Sequence, residues 1–226
     1  MSSLKEFTIA QARPLPVIVM ADTSGSMSID GKIDALNQAI QEMTKSFASE
    51  SRTRTEIQLG LITFGGESAS MHLPLASAHQ IEGISPLTAS GRTPMGDALR
   101  KAKELVEDKE AISSRSYRPV LILLSDGLPT DDWQDNLSEL CGSERAQKAT
   151  RFAMAIGRDA DEEMLAKFAN DPESPVFQAH DAKDIHRFFR AVTMSVTARS
   201  RSATPDKGAP LSLADIPEDD DLDLDF

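Results

Sequence analysis

Leu15-Pro16-Val17-Ile18-Val19-Met20-Ala21-Asp22-Thr23-Ser24-Gly25-Ser26 opens the folded part of this 226-residue chain. An almost continuous apolar run passes directly into a loop of carboxylate and hydroxyl oxygens. Such a run suits a strand buried on both faces, as in a parallel sheet covered by helices. Residues 57–64 and 119–124 repeat the pattern. Residues 152–156 give a shorter version that ends at Gly157, and Val176–Phe177 one shorter still.

Helical patterns fill the intervals. Ile33, Leu36, Ile40, Met43 and Phe47 recur at steps of three or four within residues 32–49, which makes a single apolar stripe. Residues 95–107 do the same through Met95, Leu99, Ala102, Leu105 and Val106, and residues 161–169 and 182–197 follow suit. Residues 68–75, after a turn at Gly65–Gly66, read as an antiparallel edge strand. Strands alternating with helices predict a three-layer α/β/α domain with a mostly parallel central sheet and one antiparallel edge strand.

The flanks differ in composition. Residues 1–13 are polar and mixed, without the apolar core of a secretory signal. From residue 199 the chain turns to Ser, Pro, Gly and Asp, the composition of a flexible linker and acidic tail. Half of the net charge of −12 lies in residues 200–226. The final Asp219-Asp220-Asp221-Leu222-Asp223-Leu224-Asp225-Phe226 reads either as a short binding peptide or as a solvated tail. No basic stripe with interleaved aromatics supports nucleic-acid binding, and no apolar run reaches the ~20 residues of a membrane helix. Cys141 is the single cysteine, which removes any disulfide framework or cysteine metal site and fits a reducing cytoplasm.

Three oxygen-rich loops carry the chemistry: Asp22-Thr23-Ser24-Gly25-Ser26, Gly91-Arg92-Thr93-Pro94, and Ser125-Asp126-Gly127. The first and third end apolar runs, and the carboxyl ends of parallel strands are where open α/β sheets bind ligands. Asp22, Ser24, Ser26, Thr93 and Asp126 together offer two carboxylates and three hydroxyls. These hard oxygen donors suit Mg²⁺, with Mn²⁺ or Ca²⁺ as alternatives, and have no claim on zinc. Hydroxyl ligands leave most of the ion's charge uncancelled, so an open position would attract a carboxylate. Thr93 before Pro94 is also a natural helix N-cap, and Asp131 and Asp132 read as caps of the helix that follows them. Met20, Met43, Met95 and Met154 lie on apolar stripes and are expected in the core. His72, His79, His180 and His186 are scattered without metal-binding spacing.

The D-x-S-x-S at 22–26, Thr93 in G-x-T-P and Asp126 in S-D-G resemble the metal ion-dependent adhesion site of von Willebrand factor A-type (vWA) domains, over residues 14–198. The resemblance implies direct ligation by Ser24, Ser26 and Thr93. It has Asp22 and Asp126 acting directly or through water, and a partner's Asp or Glu in the sixth position. Ser125-Asp126-Gly127-Leu128-Pro129-Thr130-Asp131-Asp132-Trp133, followed by Ala155-Ile156-Gly157, is similar to the small bacterial vWA proteins of tellurium-resistance and stress operons (TerY-like). That narrower likeness implies a scaffold working with a protein kinase and a PP2C-type phosphatase. A subunit of a MoxR-type AAA ATPase is the alternative within the family, and the acidic tail could itself contact the metal site. An enzyme is not expected: a dehalogenase-type phosphohydrolase needs D-x-D, and position 24 is Ser.

Overall fold

A computed structural model describes residues 12–50, 54–170, 176–207 and 211. Among them the strands are β1 (Arg13–Asp22), β2 (Thr55–Gly65), β3 (Ser68–Ser77), β4 (Val120–Ser125), β5 (Thr150–Ile156) and β6 (Phe177–Ala179). They form one sheet in the order β3-β2-β1-β4-β5-β6, parallel throughout except for the β2–β3 pair. The helices are α1 (Lys32–Ser49), α2 (Met95–Glu107), α3 (Trp133–Gly142), α4 (Glu162–Phe168) and α5 (Ala182–Arg201).

The period-two geometry of a strand sends alternate side chains to opposite faces, and β1 shows it directly. Leu15, Val17, Val19 and Ala21 face a core that includes Leu36, Ile40 and Met43 of α1 and Phe188, Val192 and Val196 of α5. Ile18 and Met20 face the other core, with Leu99 and Ala102 of α2, Leu140 of α3, and Met164 and Phe168 of α4. Both sides of β1 are therefore dry, which is why its sequence does not alternate with polar residues. The expected three-layer α/β/α architecture and its antiparallel edge, β3, are what the structure has. Met20, Met43, Met95 and Met154 are buried as expected.

The element ends differ from the sequence reading in small ways. Arg13 already pairs with Thr55, so β1 takes in the last residue assigned to the N-terminal extension. Residues 1–11 lie outside the described residues. Helix α5 runs to Arg201, past the expected start of the linker at residue 199, because Arg199 and Ser200 are buried against the body. Of the expected linker and acidic tail, residues 199–207 and Leu211 are described, with Leu211 buried in the β1–α1–α5 core; residues 208–210 and 212–226 lie outside the described residues. No helix among the described residues is long and apolar enough to cross a membrane.

Successive strands run outward from β1 in one direction through β2 and in the other through β4. Their connections leave the sheet on opposite sides, so a crevice opens between the carboxyl ends of β1 and β4. Ala21 pairs with Leu124 in register, so Asp22 and Ser125 leave the sheet side by side.

Candidate metal centre

The crevice gathers the oxygen-rich loops. The Asp22 carboxylate accepts from the Ser24 backbone N–H at 2.8 Å through Oδ1 and from the Ser125 hydroxyl through Oδ2. The Ser24 and Ser26 hydroxyls are 3.1 Å apart. Ser26 Oγ donates to Asp126 Oδ1 at 2.6 Å, which joins the end of β1 to the end of β4. Gly127 leaves a space beside them: a Cβ there would stand 3.7 Å from Thr93 Oγ1 and 4.0 Å from Ser26 Oγ. Asp22, Ser24, Thr93 and Asp126 are buried, while Ser26 is half-buried.

Burial pushes the Asp22 carboxyl up to about 6, against the lowering effect of its bonds to Ser125 and Ser24; the negative charge of Asp126 adds a further raising effect. Asp126 has a cationic partner that Asp22 lacks: Lys32 Nζ donates to Asp126 Oδ2 at 2.8 Å. The cluster therefore holds two buried carboxylates and one ammonium in a poorly solvated place. A divalent cation would reverse the sign of that excess charge, and the donors are the hard oxygens such an ion takes. Among the described residues no three His, Cys, Asp or Glu side chains converge as a metal-holding group. The candidate set is of a different kind, two carboxylates with hydroxyls.

The loop bearing Thr93 is fixed by backbone contacts that no motif announces. Ser90 N–H donates to Thr23 O at 2.8 Å, Gly25 N–H to Gly91 O at 3.0 Å and Gly66 N–H to Ser90 O at 2.7 Å. The β2–β3 turn is thus knitted to the first and second oxygen-rich loops. The approach requires glycine: a Cβ at Gly65 would run into the Thr23 carbonyl, and one at Gly91 (φ 69°) into the backbone of Gly66.

The caps correct the sequence reading. Pro94, not Thr93, occupies the N-cap of α2, and no side chain of its own caps that helix. Asp131 supplies the cap from a distance, accepting from the Gly96 and Asp97 N–H groups at 2.8 and 2.9 Å. It serves the helix before it, while Asp132 is the N-cap residue of α3 without a side-chain bond. Sequence spacing favours the nearest helix, but the fold brings the β4 loop over the start of α2. Thr130 adds to the brace, its hydroxyl accepting from Thr93 N–H at 3.1 Å while its own N–H donates to Thr93 O at 3.0 Å. Thr93 is therefore held by the loop that carries Asp126.

Lys32, Ser125, Thr130 and Asp131 were missed as site residues. Ser125 stood in the quoted S-D-G loop and Thr130 and Asp131 in the stretch after it, while Lys32 left a local signal of its own. It is the first residue of α1, where the helix dipole disfavours a cation.

The von Willebrand factor type A domain family matches residues 17–191. An uncharacterized protein of Mycobacterium tuberculosis is 32% identical over 117 residues, which cover 50% of this chain and 18% of that protein. A von Willebrand factor type A structure from Catenulispora acidiphila superposes with a TM-score of 0.65 at 22% identity, covering 81% of this chain and 43% of that one. Proximal thread matrix protein 1 from the mussel byssus, with zinc in its MIDAS motif, superposes with a TM-score of 0.64 at 18% identity, covering 83% and 48%. The chain thus spans less than half the length of each of these relatives.

Proposed function

The chain belongs to the von Willebrand factor type A domain family, a family of protein-interaction modules, and from that premise we propose that it is a non-catalytic, metal-dependent module that grips an acidic residue of a partner protein. One observation carries the reading: the Ser26 hydroxyl bonds Asp126 across the β1–β4 crevice, 2.6 Å away, with Ser24, Asp22 and Thr93 in the same pocket of oxygens. Ser24, Ser26 and Thr93 would ligate with uncharged oxygens, while Asp22 and Asp126 would act directly or through water. A divalent ion held by so few charges supplies a hard positive centre that favours an incoming carboxylate. Two large apolar side chains are exposed close by: Ile29, three residues after Ser26, and Leu128, two after Asp126. They offer a partner apolar surface next to the charge.

Mg²⁺ is the proposed ion. The zinc reported in the mussel protein places zinc beside Mn²⁺ and Ca²⁺ in the test. Calorimetric titration of the purified chain with each ion is expected to show uptake by the wild type and none by Ser24→Ala/Ser26→Ala. Absence of Mg²⁺, Mn²⁺ and Ca²⁺ uptake by the wild type would remove the reading.

The wider role follows the TerY-like motifs: a cytoplasmic scaffold for a kinase and a PP2C-type phosphatase in a bacterial stress or tellurium-resistance module. Co-purification from the native host separates this from a MoxR-type ATPase subunit, according to which enzyme arrives with the chain. The acidic tail is a second candidate occupant. Asp206, near its start, accepts from Arg118 N–H at the end of the sheet away from the site. Removing residues 212–226 spares that anchor and Leu211, and is expected to raise partner affinity if the tail competes for the ion.

A further inference from the structure

Lys32 sits where local physics disfavours it. It opens α1 behind Gly31, whose φ of 69° and missing side chain give the helix no side-chain cap. A positive charge there opposes the macrodipole, so the first turn is a place for Asp, Glu or Ser. The side chain turns instead toward the crevice, where Nζ lies 2.8 Å from Asp126 Oδ2. Its partner's carboxylate is completely buried, and Lys32 is itself only 21% exposed. Gly157, just beyond β5, borders the ammonium: a Cβ there would stand 3.7 Å from Nζ. The end of a third strand thus borders the ammonium without a side chain of its own.

We propose that Lys32 is the built-in counter-charge of the site, lowering its affinity for a divalent ion and raising its preference for an acidic over a neutral partner group. The inference rests on the metal-dependent reading above. The charges make the argument. Asp22 and Asp126 ionised, with Lys32 protonated, leave one net negative charge in the crevice. A divalent ion then turns the site to one net positive charge, matched by a single carboxylate. Without Lys32 the loaded site would be neutral, and an amide would compete with an acid on more even terms. Lys32 also repels the incoming ion across a partly buried space where charges are poorly screened.

The test uses the full chain, Lys32→Met and Lys32→Arg, each checked for a cooperative thermal transition. Calorimetry with MnCl₂ alone is expected to show about tenfold tighter uptake by Lys32→Met, with Lys32→Arg close to wild type. At saturating Mn²⁺, a labelled peptide with the sequence of residues 217–226 is compared with its Asn/Gln analogue. The wild type is expected to prefer the acidic peptide, and Lys32→Met to lose about tenfold of that preference while Lys32→Arg keeps it. Unchanged or weaker Mn²⁺ uptake by Lys32→Met, or a wild type indifferent between the peptides, overturns the inference while leaving the metal reading standing. A wild type that takes up no Mn²⁺ overturns both.

Discussion

At the carboxyl end of the sheet Asp22 and Asp126 are buried, and the one ammonium there, that of Lys32, lies against Asp126. At the opposite end Arg199, equally buried, is met by hydrogen-bond acceptors of its own chain. Its Nε donates to Pro205 O at 2.8 Å, Nη2 to Arg118 O at 3.0 Å and Nη1 to Thr150 Oγ1 at 3.3 Å. Asp206 completes that end, accepting from Arg118 N–H at 2.8 Å and lying 3.6 Å from Arg13, whose guanidinium stacks 4.0 Å over Tyr117. A buried charge surrounded by its own chain's dipoles ties elements together and needs nothing more. A buried charge cluster left with excess of one sign is costly unless something external answers it. The difference sets a structural end of the sheet apart from the end that carries the proposed site.

The largest expected effect tests the structural end. Arg199→Met strips three hydrogen bonds, one of them to the buried Pro205 carbonyl, and frees the Thr204–Asp206 return, so chemical denaturation should show a loss of about 3–5 kcal/mol. Divalent-ion uptake, measured by calorimetry, should be unchanged at permissive temperature. Coupled loss of both would erase the distinction between the ends.

Gly91→Ala comes next, because its Cβ meets the Gly66 backbone in a left-handed conformation. A cost of about 2–4 kcal/mol is expected, and here ion uptake should fall too, since the same loop carries Thr93. Asp131→Ala removes both acceptors at the start of α2 and should cost about 1–2 kcal/mol. Ion affinity should drop less than in Gly91→Ala, because Thr130 still holds Thr93.

The smallest effect has the opposite sign. Asp22→Asn is expected to raise the melting temperature in chelator by ~2–4 °C, about 1 kcal/mol for a domain of this size, while abolishing the shift that Mg²⁺ produces. The sign follows from the carboxyl held near 6 in the fold against 3.8 ordinarily. The folded state binds that proton more tightly, so its contribution to stability is full below 3.8 and is lost as pH rises through about 6. The gap between variant and wild type should therefore open across that range in thermal scans. A variant less stable than wild type at neutral pH would mean that the Asp22 carboxylate is already satisfied inside the fold.

Much of this was legible before any coordinates. The apolar runs at 15–21, 57–64 and 119–124 emerged as β1, β2 and β4 because strands buried on both faces leave an unmistakable composition. Strand β6 was the weakest signal: Phe177–Ala179 is three residues long, and its existence depends on pairing with β5 rather than on its own composition. The oxygen-rich loops were legible because Asp, Ser and Thr gather where the apolar runs end. Their braces were not, since Ser90 bonds Thr23 through backbone atoms that any residue would bring.

The sequence by itself determined the layer architecture and the strand ends on which the oxygens sit, because periodicity and residue type are local properties. Only the tertiary structure decided that Asp131 caps α2, that Lys32 lies against Asp126 and that Arg199 is enclosed by carbonyls from separate segments. Those partners are 35, 94 and 81 residues apart along the chain at their widest. Electrostatics acts through space, so the balance of each buried charge is set by which segments the fold brings together.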